Sequence, residues 1–169
     1  MTAYTSTPMD SPVKTSAMLT LHKRLNSFPA GKWLFSKILC LKSPYFQSIN
    51  PKVVRLEPGF SEWTLRKRRK VTNHIGTVHA LAMGNLAEMC AGTCIEATLA
   101  SHLRWIPKRT TVNYLAKATT NLRGVCQLDQ GQLVPGDNVV TVNVFDKNET
   151  KVFHAEITMY VSHHKKQTK

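Results

Sequence analysis

From Ala17 to about Tyr45 the apolar residues Met18, Leu21 and Leu25, then Trp33, Leu34, Ile38 and Leu41, recur at helical spacing. Pro29, Ala30 and Gly31 interrupt that rhythm, so the pattern predicts two short helices. Beyond Pro44 the chain reads as extended. Pro51 to Glu57 and Trp63 to Val71 flank a Pro58-Gly59 turn and predict a hairpin. Thr110 to Ala118, Leu122 to Leu128, Val139 to Asp146 and Lys151 to Val161 predict further strands, with turns at Pro135-Gly136 and around Asn148. In the last of these Ala155, Ile157, Met159 and Val161 face one way and His154, Glu156, Thr158 and Tyr160 the other, the alternation of a half-buried antiparallel strand.

Between the two groups of strands lies one long apolar segment, His79 to Leu99, rich in Ala, Leu, Met and Cys. It predicts a central helix whose only charged side chains are Glu88 and Glu96. Glu88 sits among Leu86, Ala87, Met89 and Cys90, so a buried carboxylate is expected there, and an unpaired buried charge is costly and raises a carboxyl pKa. Such a group calls for a functional reason. Asn85, one turn earlier, is placed to orient it or to line a contact between subunits.

The 169 residues suffice for one globular domain with a modest extension. The division expected is a leader over 1–16, a helical extension over 17–45, a folded domain over 46–164 and a basic tail over 165–169. Lys and Arg outnumber Asp and Glu by 23 to 10, which gives a positive surface suited to anionic partners. Cys40, Cys90, Cys94 and Cys126 have neither zinc spacing nor the density of a secreted disulfide scaffold, so no metal site and a reducing, cytoplasmic setting are expected. Cys90 and Cys94 lie one helical turn apart, and among Ala and Gly they read as small packing residues rather than a redox pair. No segment has the run of a spanning helix or a secretory signal. The basic helices of the extension carry a surface that suits membrane contact, but a pair packed on the domain with its lysines in water is the favoured reading.

Strands, one apolar helix, then strands is the order of an α+β fold in which a sheet wraps a helix. The stretch Asn73-His74-Ile75-Gly76-Thr77-Val78-His79, followed nine residues after the histidine by Glu88, resembles the active-site segment of hotdog-fold thioesterases of the phenylacetate-pathway and 4-hydroxybenzoyl-CoA types, and of the DUF4442 branch of that superfamily. The resemblance covers roughly Asn50 to Ser162 and leaves the first forty or so residues aside. It implies a hotdog domain, an acyl-CoA thioester as substrate, no cofactor of the protein's own, and a homodimer that sometimes pairs into a tetramer. It also implies that Asn73 and His79 place thioester and water in one subunit while Glu88 reaches in from the other, as general base or as nucleophile. An amide at the start of the helix, best Ala80, would face the thioester oxygen with the helix dipole behind it. Relatives usually carry two glycines where this chain has Ala80 and Leu81, which narrows the approach to the backbone.

Taken singly, Asn73 is equally a turn former and His79 a helix cap. The run Arg66-Lys67-Arg68-Arg69-Lys70 comes with no nucleic-acid-binding motif, and on an extended strand its cations alternate faces. Part of that charge, Arg68 together with Lys108 and Arg109, suits the phosphates of coenzyme A. Two other functions fit the same fold: an acyl-CoA-binding module without catalysis, and a dehydratase or hydratase. The nine-residue interval argues against the second.

Overall fold

A computed structural model describes residues 16–128 and 133–164. Of the leader expected over 1–16 only Ser16 is among the described residues, and the basic tail from 165 lies outside them. The first helix, α1 (Ala17–Asn26), starts where the Ser16 hydroxyl accepts the Leu19 N–H at 3.1 Å, satisfying one of the free amides of its first turn. After a turn through left-handed Ala30 the chain enters α2 (Gly31–Lys42). A Cβ at Gly31 would lie 1.7 Å from the Leu25 carbonyl oxygen, so only glycine lets α2 begin against the end of α1. A 3-10 turn over Pro44–Ser48 leads into the sheet.

Six strands form one antiparallel sheet: β1 (Lys52–Glu57), β2 (Phe60–Leu65), β3 (Leu103–Tyr114), β4 (Leu122–Gln127), β5 (Gly136–Phe145) and β6 (Lys151–His163), in the order β1-β2-β4-β5-β6-β3. The third helix, α3 (Ala80–Thr98), lies against this sheet and packs on β2, β4 and β5. Trp63, Leu65, Leu86, Ile95, Phe153, Ile157 and Met159 form the core between them. Ala155, Ile157, Met159 and Val161 are all buried, as their alternation predicts. One polar group enters this core fully satisfied: the Trp63 indole N–H reaches the hydroxyls of Ser61 (2.9 Å) and Thr93 (3.0 Å).

Strands β2 and β5 start three residues before the expected positions, and two expected elements differ further. The second strand stops at Leu65, and Arg66 to Arg68 run as irregular chain into a 3-10 turn over Arg69–Val71. The basic run is therefore no strand. β3 runs from Leu103 to Tyr114, starting seven residues before and ending four residues before the expected bounds, and carries Pro107 beside a register shift between Pro107 and Arg109. Proline is compatible with a strand at a sheet edge or bulge, and β3 is an edge strand.

His22 of α1 is 5% exposed, edge-on to Phe35 of α2 with ring centroids 4.9 Å apart, and neither ring nitrogen meets a protein partner. Burial holds its pKa below the usual 6.5, and Lys32 beside it pushes the same way. The folded state therefore binds the proton more weakly than the unfolded state, so stability is full above about pH 6.5 and declines as pH falls below it. His22→Leu is expected to remove that decline and to stabilise the protein by roughly 1 kcal/mol at neutral pH by deleting two unpaired polar atoms. Urea melts of both proteins at neutral and mildly acidic pH check this; parallel pH dependence in the two would exclude the assignment.

Candidate active site

The entry to α3 is built from the Asn73 turn. The Asn73 side-chain oxygen accepts the N–H groups of Ile75 (3.2 Å) and Thr77 (3.0 Å), and its amide donates to the Thr77 hydroxyl (2.8 Å). Asn73 thus holds its own loop closed, in the manner of an Asx turn. The chain then pairs Val78 N–H with the Ala118 carbonyl and His79 N–H with that of Val71, which fixes the direction in which the helix departs. His79 is the N-cap, its Nδ1 accepting the Leu81 N–H at 3.1 Å.

The first-turn amides are unequal. Leu81 is capped by His79, and Ala82 and Met83 both donate to the His79 carbonyl, whereas the Ala80 N–H has no acceptor among the described residues. Ala80 lines a cavity of about 360 Å³ with Asn73, Thr77, Met83, Tyr114 and Lys117. A free amide at the positive end of a helix dipole is suited to an oxygen that gains negative charge. His79 faces the other way, into a small space of about 190 Å³ with Tyr45, Lys70 and Asn85.

Glu88 departs from the expectation of burial: it is exposed. The reason lies in the helix's surroundings. The sheet covers one side of α3, while Leu81, Gly84 and Glu88, spaced three and four residues apart, share a stripe that no strand covers. Farther along, Gly92 is covered by Trp105, whose indole N–H donates to Glu96 at 2.9 Å. Glu88 itself has no ion pair or hydrogen bond among the described residues. It borders a groove of about 510 Å³ between α3, β3 and the N-terminal helices, lined by Met18, Leu21, Ile38, Leu39, Phe46 and Met89. Asn85 does not orient it. The Asn85 amide instead reaches Ser48 Oγ (3.1 Å) and the Tyr45 carbonyl (3.4 Å), tying the N-terminal extension to α3.

Within one chain, then, Asn73 and Ala80 share a cavity, His79 borders a second and Glu88 a third. The residues named for phosphate binding are also separated. Arg68 follows β2 and donates to the Ser48 carbonyl, lining a cavity of about 640 Å³ with Lys52, Arg66, Lys67, Arg123 and Lys147. Lys108 is on β3, across the sheet, paired with Asp137 at 2.7 Å, and exposed Arg109 follows it. A single chain does not gather these three cations into one cradle, because the strand order puts them at opposite edges. That Lys52, Arg123 and Lys147 join the basic run around Arg68 is not visible in the sequence, because they come from distant parts of the chain and the run itself reads as a strand with alternating faces.

The cysteines are free and buried. Burial keeps the Cys90 thiol well above its ordinary pKa, and the Cys126 thiol is raised first by its side-chain hydrogen bond with Cys94 and second by burial. These thiols pack the interior. Among the described residues no group of His, Cys, Asp and Glu is placed to hold a metal ion, and no helix is long and apolar enough to cross a membrane.

Residues 31–161 match DUF4442, a domain of unknown function. The chain belongs to the DUF4442 family. Its fold is similar to a protein solved as structural-genomics target APC5556, at 44% identity and a TM-score of 0.76 over 87% of this chain and 99% of that one. PA5026 of Pseudomonas aeruginosa, described as a probable thioesterase, is 20% identical with a TM-score of 0.66, over 72% of this DUF4442 chain and 88% of its own. PaaI of E. coli, from the phenylacetic acid degradation operon, is 12% identical with a TM-score of 0.62, over 78% and 99%. The sheet and helix of this DUF4442 protein are thus the hotdog fold, shared with thioesterases, as the segment from Asn73 to Glu88 implies. Among curated proteins nothing matches the sequence.

Proposed function

We propose that this DUF4442 protein hydrolyses acyl-CoA thioesters to the free acid and coenzyme A, working as a homodimer in a reducing cytosol and needing no cofactor of its own. The observation that carries the reading is Glu88: an unpaired carboxylate on the uncovered stripe of an otherwise buried helix, at the wall of an apolar groove. The acyl group would lie with its carbonyl oxygen toward the Ala80 N–H, in the cavity that Asn73 shapes, while His79 caps the helix from the other side. Glu88 of the other subunit would take a proton from water as the water adds to the carbonyl, or attack the carbonyl itself to form an anhydride that water then opens. In both routes the thiolate of coenzyme A leaves and the acyl carbon gains one oxygen from water. Two subunits would also allow Arg68 of one and Lys108 and Arg109 of the other to face the same phosphates.

The dimer has a natural seam. β3 is a twelve-residue edge strand exposed along most of its length on both faces, and it carries the large exposed side chains of Ile106 and Tyr114. Long open edges pair with other strands unless something blunts them. Ile106→Asp is expected to convert dimer to monomer in size-exclusion chromatography with light scattering, and to abolish thiol release with it. A dimer that survives the substitution unchanged would place the seam elsewhere.

A second reading, an acyl-CoA-binding module without catalysis, draws on Ala80-Leu81 in place of the glycine pair and on buried Met83, which shares the cavity of the Ala80 amide. Thiol release from a panel of short, long and aromatic acyl-CoAs separates the two. Turnover supports the hydrolase, and saturable binding with no turnover on any member supports the module.

A further inference from the structure

The N-terminal helix pair is the part of the molecule that the proposed chemistry uses least, and its surface has a composition of its own. Between Ser11 and Leu56 there is no Asp or Glu, while Lys14, Lys23, Arg24, Lys32, Lys37, Lys42, Lys52 and Arg55 fall in that stretch. The ten acidic residues are Asp10 and nine from Glu57 onward. Large apolar side chains stand open to solvent on the same elements: Phe28 is 66% exposed, Trp33 52% and Leu41 72%. Tyr45, also 72% exposed, follows in the 3-10 turn.

These residues are ordered on α2. At 3.6 residues per turn, Trp33, Leu34, Lys37 and Leu41 fall within an arc of about 100°. Phe35 lies opposite that arc and, with buried Ser36 and Cys40, docks the helix on the domain. Trp33, Leu34 and Leu41 are exposed along that arc, whereas Lys37 within it donates to Asn50 Oδ1 at 2.9 Å and Lys32 outside it donates to the Val54 carbonyl.

We propose that the α1–α2 pair is a docking face for an anionic lipid surface. Exposed aromatic and leucine side chains on a segment whose own charges are all basic match a headgroup layer in which rings and aliphatic chains enter the boundary while Lys23, Arg24 and Lys42 meet phosphates. With twelve residues α2 is too short to span a bilayer, so it lies in the surface plane. A second copy of this chain is a poor occupant, because a two-fold contact through this face would oppose lysines to lysines. Nucleic acid would meet the cations but leave Phe28, Leu34 and Leu41 without a role. The helices concerned also wall the groove beside Glu88, so docking would bring that groove to the lipid boundary.

The test is flotation of the full chain with vesicles of phosphatidylcholine alone and with phosphatidylglycerol admixed, at low and at physiological salt. Binding is expected only with the anionic vesicles, weakening as salt rises. A blue shift of tryptophan emission is expected with it, since Trp33 is exposed whereas Trp63 is buried. Lys23→Glu combined with Arg24→Glu should weaken vesicle affinity by at least about tenfold, and Phe28→Ser combined with Leu41→Ser by roughly tenfold. All four side chains are exposed, so neither pair should alter the fold or thiol release in solution. Absence of binding to anionic vesicles, or binding indifferent to both pairs of substitutions, would overturn the proposal. Self-association lost in these variants without any flotation would do the same and assign the face to a second copy. Vesicle binding is read without turnover, so a failure here is distinct from a failure of the hydrolase reading.

Discussion

Glu88→Gln is expected to lower thiol release from the preferred acyl-CoA by about 10²–10⁴-fold, the range supplied by a positioned proton-transferring group. The substitution keeps the shape and hydrogen-bonding reach of the side chain and removes its basicity and nucleophilicity. Because Glu88 is exposed and makes no ion pair among the described residues, folding should tolerate the change, with unfolding midpoints close to those of the parent. That separation makes the experiment informative: a buried, paired carboxylate would confound catalysis with stability, and this one does not. The variant should also retain acyl-CoA affinity, since the proposed contacts to thioester oxygen and phosphates come from the Ala80 amide and from Arg68, Lys108 and Arg109. Parent-level turnover in the variant would remove Glu88 from the mechanism, whatever the fold. Mixing a Glu88→Gln chain with an Ile106→Asp chain adds nothing if the active unit forms through β3, because the second chain cannot pair.

Much of this architecture was legible because the sheet has one dry face. The alternation in β6 predicted the buried set from Ala155 to Val161, and the apolar run predicted α3 to within a residue at each end. Where reading failed, the cause was a neighbour that local pattern does not encode. Leu81 and Gly84 share the outward stripe of α3 with Glu88, so the helix carried no polar face to mark its exposed side, and Glu88 read as buried. β3 was recognised only in its second half, because Pro107 is a breaker everywhere except at an edge or a bulge, and edge position is a property of the whole sheet. The motif from Asn73 to Glu88 could be found by spacing, yet spacing did not reveal that one chain divides its members among three cavities. The free Ala80 amide was foreseeable in kind, since helix starts leave amides unpaired; that the His79 cap and carbonyl occupy its three neighbours required the structure.

Gly124→Ala is expected to destabilise the protein by about 1–3 kcal/mol, the usual cost of forcing an extra group into a filled core. Gly124 lies in β4 directly beneath α3. A Cβ placed there would stand 2.7 Å from Cys90 Sγ and 3.1 Å from Leu86 Cγ, and both of those side chains are fully buried. Cys90 Sγ turns about a single torsion within a packed core and Leu86 Cγ is a branch point, so much of the relief has to come from moving α3 away from the sheet. Leu86 and Cys90 flank Glu88 on that helix, and such a movement would shift the carboxylate and the Ala80 amide together. The loss should therefore appear twice, as a lower urea midpoint and as slower thiol release under conditions where the variant remains folded. Cys90→Ala in the same chain removes the nearest obstructing atom, and should restore part of both losses, a coupling between neighbours that two independent defects would not show. Gly124→Ala melting like the parent would mean that the contact between α3 and β4 has room for a methyl group, and would remove the coupling to Glu88 with it.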